Sequence, residues 1–105
     1  MQKSAALPIL FTLLMPGFVQ AAERPATKAE ILKIAVGHTV SNAMYYGADG
    51  RYTYKGGSPG RYQVSDGRIC VVFDSGTTRC DQILKDGDAY FLITAQGRRS
   101  PFMPN

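Results

Sequence analysis

The sequence predicts a mainly β protein: a small antiparallel meander, barrel- or sandwich-like, of about 5–6 strands preceded by one short N-terminal helix. Three observations predict it. From Gly47 onward, turn-forming clusters recur at intervals of roughly ten residues (Gly47-Ala48-Asp49-Gly50, Gly56 to Gly60, Asp66-Gly67, Ser75-Gly76-Thr77, Asp86-Gly87-Asp88), a spacing that leaves room only for short strands. Between the clusters, apolar and polar residues alternate with the two-residue period of a half-buried strand. Helical periodicity appears once in the part of the chain that follows the leader, just ahead of Gly37.

The N-terminus has the three parts of an export signal. Lys3 supplies the positive start, Leu7 to Val19 form an apolar stretch, and Val19-Gln20-Ala21 places small or modest residues at a cleavage site. A membrane-spanning helix needs roughly 20 apolar residues without a break, whereas this run is shorter and carries Pro16-Gly17 near its end. Residues 1–21 therefore read as a cleavable signal peptide and residues 22–105 as a single small β-rich domain. The expected location is periplasmic or secreted, with no transmembrane anchor after cleavage.

The elements follow in order. Thr27-Lys28-Ala29-Glu30 has the form of a capping box, and Ile31, Ile34 and Ala35 fall on one helical face, so a helix is expected at about 28–36, stopped by Gly37. His38 to Tyr46, rich in β-formers, is a first extended candidate. Arg51 to Lys55 alternates tyrosine with polar residues, Gly56 to Gly60 reads as a loop, and Arg61 to Ser65 alternates again. Asp66-Gly67 is a two-residue hairpin signal. Arg68 to Asp74 is the most apolar strand, Arg79 to Lys85 returns from the turn at Ser75, and Ala89 to Ala95 is the last strand.

Two cysteines occur, Cys70 and Cys80. In an oxidising compartment an isolated pair reads as a disulfide. A hairpin turning about Ser75 places the two opposite each other, within reach of a cross-link. Ile69, Val71 and Phe73 then line up on the other face for the core. Closing such a loop contributes roughly 2.5–3 kcal/mol in the chain-entropy model. Nine residues separate the cysteines, far from the Cys-x-x-Cys spacing of redox pairs, so the role is structural.

With helix, turns and cysteines placed, the order of motifs resembles a family of small exported proteobacterial proteins built on a domain of unknown function. The matching pieces are Gly37-His38-Thr39-Val40, Tyr45-Tyr46-Gly47-Ala48-Asp49-Gly50-Arg51, Gly60 to Gly67 leading to Cys70, and Cys80 followed by Asp86-Gly87-Asp88-Ala89-Tyr90. The likeness departs at Tyr62, where the family pattern often carries Trp. What the resemblance implies is a location and a β-rich fold; it brings no catalytic residues.

The residues point away from most catalytic chemistry. The one histidine, His38, follows the helix and has no triad partner near it in sequence. One His and two paired Cys do not make a zinc site, and Asp86-Gly87-Asp88 lacks the further ligands of a calcium loop and reads as a turn. No catalytic residue, metal or cofactor is expected. Removing Lys3 takes the formal charge from +4 to +3 with the basic residues scattered, the pattern of a solvated surface; export argues against a nucleic-acid partner. What stands out is tyrosine, six in all. Tyr52 and Tyr54 share one strand face, flanked by Arg51 and Lys55, and aromatic beside cationic side chains suits recognition. These four are the candidate binding residues, on a face expected to be exposed. The leading expectation is a non-enzymatic interaction module that binds another envelope or secreted protein. The alternative is a barrel-type carrier of a lipid or other apolar molecule, which would show an open apolar cavity of roughly 300 Å³ or more. An enzyme acting on cell wall or polysaccharide ranks third.

Overall fold

A computed structural model describes residues 23–105; the signal peptide expected at 1–21 lies outside the described residues. One helix and nine short strands appear: β1 (Arg24–Pro25), α1 (Lys28–Ala35), β2 (His38–Val40), β3 (Met44–Tyr46), β4 (Arg51–Tyr54), β5 (Gly57–Ser65), β6 (Arg68–Phe73), β7 (Thr78–Asp86), β8 (Ala89–Ile93) and β9 (Arg99–Pro101). Strands β2 to β9 follow one another in sequence order as an antiparallel meander, and β1 pairs with the end of β7. The sheet is curled into a half-barrel. The mainly β class with one preceding helix is as the sequence predicts.

The helix begins where the capping box places it. The Thr27 hydroxyl accepts from the Glu30 N–H at 3.1 Å, and the Glu30 carboxylate accepts from the Thr27 N–H at 2.9 Å. Asp66, from the β5–β6 turn, accepts from the Lys28 N–H at 2.8 Å and ties the first turn of the helix to the sheet. Ile31 and Ala35 are fully buried, so α1 packs its small apolar face on the sheet, against β2 and β5. The helix ends at Ala35 with Val36 as C-cap.

The strands exceed the expected 5–6, for local reasons. The extended candidate His38 to Tyr46 folds back on itself, because Ser41 and Asn42 both take positive φ (53° and 60°) and make a tight turn between β2 and β3. The segment Gly56 to Gly60, expected as a loop, shrinks to a two-residue turn at Lys55-Gly56, with φ of 50° and 79°. Two consecutive positive φ values match the twist of a hairpin, so β5 starts already at Gly57. Gly60 is required by close approach: a Cβ there would lie 2.6 Å from the Val72 carbonyl oxygen. The remaining extra strands, β1 and β9, have two and three residues, too few to show a period.

The hairpin of β6 and β7 has the expected register, with Cys70 directly opposite Cys80 and a disulfide joining them at a Cα separation of 4.0 Å. Ile69 and Val71, on the other face of β6, are almost wholly buried. The core fills the concave side of the sheet with Tyr46, Tyr52, Ile69, Val71, Ile83 and Phe102. Its aromatic rings meet at angles: Tyr46 lies 5.2 Å from both Tyr52 and Tyr62, and 6.0 Å from Phe102, within the range where tilted aromatic pairs attract.

Beyond β9 the chain crosses to the opposite edge of the sheet. Val40 and Pro104 form an antiparallel bridge, Asn105 N–H donates to the Thr39 carbonyl at 3.0 Å, and Ser41 N–H donates to the Met103 carbonyl at 2.8 Å. The backbone groups of the β2 edge are thus partly satisfied from within the chain, one of the ways proteins guard an open strand.

Candidate functional site

Away from α1, the concave face opens into a cavity of about 620 Å³. Its walls come from three places. The β2–β3 turn gives Ser41, Asn42, Ala43 and Met44; β8 and the residue after it give Leu92 and Thr94; and the C-terminal crossing gives Ser100, Pro101, Met103, Pro104 and Asn105. Tyr54 stands at the rim, about two-fifths exposed. Most of these contacts are apolar. Two charged residues, Arg79 and Asp81, complete the lining.

Strand geometry explains how two charges come to face inward. Residues two apart on a strand share a face, so Arg79 and Asp81 lie on the same side of β7 as Ile83, which is fully buried. The register sets Asp81 against Ile69, itself a core residue. Asp81 is 3 % exposed. Its Oδ2 accepts from Arg79 Nε at 2.9 Å. Arg79 Nη2 donates to the Tyr52 hydroxyl at 3.2 Å and contacts Met44 Sδ at 3.9 Å. The guanidinium also lies over the rings of Tyr52 and Phe73, at 5.5 and 5.9 Å from their centroids. A planar cation that is weakly hydrated suits such a partly buried, ring-lined position.

The pair is incomplete. Asp81 Oδ1 is buried and has no hydrogen-bond partner among the described residues. Burial pushes the Asp81 carboxyl above its ordinary range, and the attraction of Arg79 only partly offsets this. For Arg79, burial works against the charged form, but the Tyr52 hydroxyl and the Asp81 charge outweigh it and the net shift is upward. Burial raises Tyr52 as well, with Arg79 pulling the other way. Asp81, in the lining of the cavity, therefore carries a buried carboxylate oxygen with no partner, beside a guanidinium that is about a third exposed and retains donor capacity.

The four residues singled out from sequence are dispersed. Tyr52 and Tyr54 do share a strand face, but that face turns inward: Tyr52 is fully buried beneath Arg79, and only Tyr54 reaches the surface. The expected exposed face containing both is thereby corrected; the concave curl of the sheet buries the inner position and leaves the strand end at the rim. Lys55 lies 5.8 Å over the Tyr54 ring at the adjoining turn. Arg51 belongs to the opposite face and pairs with Asp74 at 2.9 Å. Cys70 and Cys80 are joined on the outer side of the sheet, away from the cavity. His38 is exposed at the start of β2. Among the described residues no three His, Cys, Asp or Glu side chains converge as metal ligands, and no helix is long and apolar enough to cross a membrane.

Arg79 and Asp81 do not stand out in the sequence as cavity residues, because charged residues ordinarily face water. The signal was present: once Cys70 is set opposite Cys80, Ile69 must oppose Asp81, and a core position opposite implies a core position here. Comparison with protein-family models, with curated proteins and with solved structures finds no match in any of the three.

Proposed function

We propose that this protein binds a small, largely apolar molecule in the cavity between the β2–β3 turn, β7, β8 and the C-terminal crossing. The observation that carries the reading is the cavity itself: about 620 Å³, open to solvent, apolar in most of its lining, with an ion pair in that lining whose Asp81 carboxylate is buried and whose Arg79 guanidinium is partly exposed. Binding sites combine a concave apolar surface with a few placed polar groups, and that combination supports the carrier reading over a surface built on Tyr52 and Tyr54 together. The Cys70–Cys80 disulfide is in keeping with work in an oxidising compartment, and we place the protein in the periplasm or outside the cell, where the N-terminal leader would direct it.

The test uses an uncharged apolar dye, Nile red, titrated into the purified protein and into Met103→Trp, which narrows the mouth of the cavity at a residue already half-exposed. Saturable binding at one dye per chain, weakened at least fivefold by the substitution, supports the reading. Non-saturable binding, or saturable binding indifferent to Met103→Trp, counts against it.

A second reading, docking of another envelope or secreted protein, draws support from Tyr45, Tyr54 and Val72, large apolar side chains left in solvent. Tyr45 and Val72 lie on the convex face, Tyr54 at the cavity rim, so they do not form one patch. Scattered exposed apolar residues are ordinary on a protein surface, and this reading ranks below the cavity.

A further inference from the structure

The floor of the cavity also limits the chemistry of the ligand's polar end, an inference that rests on the small-molecule reading above. The geometry points to an uncharged head group that carries a hydrogen-bond donor and an acceptor on two atoms bonded to the same carbon, such as a primary amide, attached to an apolar body. Three observations lead there. Asp81, 3 % exposed, leaves Oδ1 unpartnered, and a buried carboxylate oxygen without a donor is unfavourable until one arrives. Arg79 spends Nε on Asp81 and Nη2 on Tyr52, and its Nη1 has no hydrogen-bond partner among the described residues. The two side chains are joined at 2.9 Å, so whatever meets one meets the field of the other.

That last point selects against charge of either sign. An ammonium group drawn to Asp81 would stand beside the Arg79 guanidinium, and a carboxylate drawn to Arg79 would stand beside Asp81. Beside the buried Asp81 carboxylate such like-charge proximity is penalised, whereas a neutral donor–acceptor group gives Oδ1 its missing donor and takes a hydrogen bond from Arg79 Nη1 without adding charge. Oδ1 has almost no accessible surface, so a donor would meet it through a small rotation of the carboxylate about its terminal torsion, which is broad and soft. The apolar body then lies against Met44, Leu92 and Met103.

The experiment compares four eight-carbon probes by calorimetric titration into the disulfide-bonded protein: octanamide, N,N-dimethyloctanamide, octanoate and octylammonium. Octanamide is expected to bind at least about tenfold more tightly than each of the others, since a hydrogen bond to a charged partner is commonly worth that factor or more. Asp81→Asn, checked for its fold by circular dichroism, is expected to narrow the gap between octanamide and octanoate by improving octanoate, because it removes the repelling charge. A charged probe that matches or exceeds octanamide overturns the head-group inference while leaving the cavity reading intact. The dimethylamide, which has no N–H, binding as well as octanamide removes Asp81 from recognition and overturns it too. If none of the four binds saturably while Nile red does, the head-group inference falls and the cavity reading stands; if Nile red fails as well, both fall.

Discussion

Replacing Tyr52 with alanine should come close to unfolding the protein, although the same change two residues later should hardly be felt. Tyr52 is fully buried, packs at 5.2 Å from Tyr46 and 5.9 Å from Phe73, and accepts a hydrogen bond from Arg79. Removing a large buried aromatic side chain costs about 3–5 kcal/mol through lost burial and the cavity left behind. A domain formed by residues 23–105 has a total stability of roughly 4–12 kcal/mol, so Tyr52→Ala removes a large share. Tyr52→Phe separates the hydroxyl from the ring: it keeps the packing, withdraws one acceptor from Arg79, and should cost about 1–2 kcal/mol. Tyr54 is about two-fifths exposed, and its contact with Lys55 is of the solvent-facing kind, so Tyr54→Ala should cost no more than about 1 kcal/mol. Urea unfolding followed by far-ultraviolet circular dichroism gives all three midpoints, with unchanged slopes expected for the two milder variants. Equal effects of Tyr52→Ala and Tyr54→Ala would refute the inward turn of this strand and with it the architecture of the cavity floor.

Further expectations follow from the same structure. Cys70→Ser with Cys80→Ser should lower stability by about 2.8 kcal/mol by the chain-entropy relation for an 11-residue loop, read as a shift of the urea midpoint relative to the oxidised protein; no shift would mean that the bond leaves the unfolded ensemble unchanged. Gly60→Ala should cost about 1–3 kcal/mol because its Cβ would press on the Val72 carbonyl and the Phe73 Cα, at 2.6 and 2.9 Å. Gly57→Ala meets nothing closer than 3.7 Å and should be mild by comparison; equal losses would contradict the close approach of β5 and β6. The pH dependence of thermal stability should carry two opposite slopes. Glu30, held down to about 2 first by Arg24 and then by the Thr27 N–H, stabilises the fold above about pH 4.5 and loses that contribution as pH falls toward 2. The advantage of wild type over Glu30→Gln should therefore fade across that window. Asp81 runs the other way: burial raises its folded pKa above 3.8, so its favourable contribution is complete below pH 3.8 and is lost as pH rises through the folded value. Relative to Asp81→Asn, wild type should accordingly weaken as pH increases from 3.8, and a gap that instead widens in favour of wild type would mean that Arg79 outweighs burial.

Features set by near neighbours in the chain were the legible ones. The helix could be read because Thr27 and Glu30 cap each other across three residues, and the β6–β7 hairpin because its turn and its two cysteines lie within one stretch of eleven. The β2–β3 turn was hidden, since Ser41 and Asn42 take positive φ without the glycine that usually announces it. The closure of the sheet edge by Met103, Pro104 and Asn105 was beyond reach for another reason. It joins residues about sixty positions apart, through backbone hydrogen bonds and the side chains of Ser41 and Asn105, and no local pattern in the sequence encodes that pairing. The candidate site depends on that long-range closure, so the cavity could be named as an alternative but not located. Tyr54 alone of the four proposed binding residues lines it. Arg79 and Asp81 share a face with Ile83, but their charge argues for solvent, and their inward position follows only from the pairing of Asp81 with Ile69.

On the proposed function the cavity, and not the convex face, takes a small molecule. The most direct measurement is an amide chemical-shift titration of the ¹⁵N-labelled protein with octanamide. The account predicts saturable shifts clustered at Ser41 to Met44, Arg79 to Asp81, Leu92 to Thr94 and Ser100 to Asn105, with Gln63 and Val72 on the convex face unmoved. Shifts confined to the convex face, or none that saturate, would contradict it.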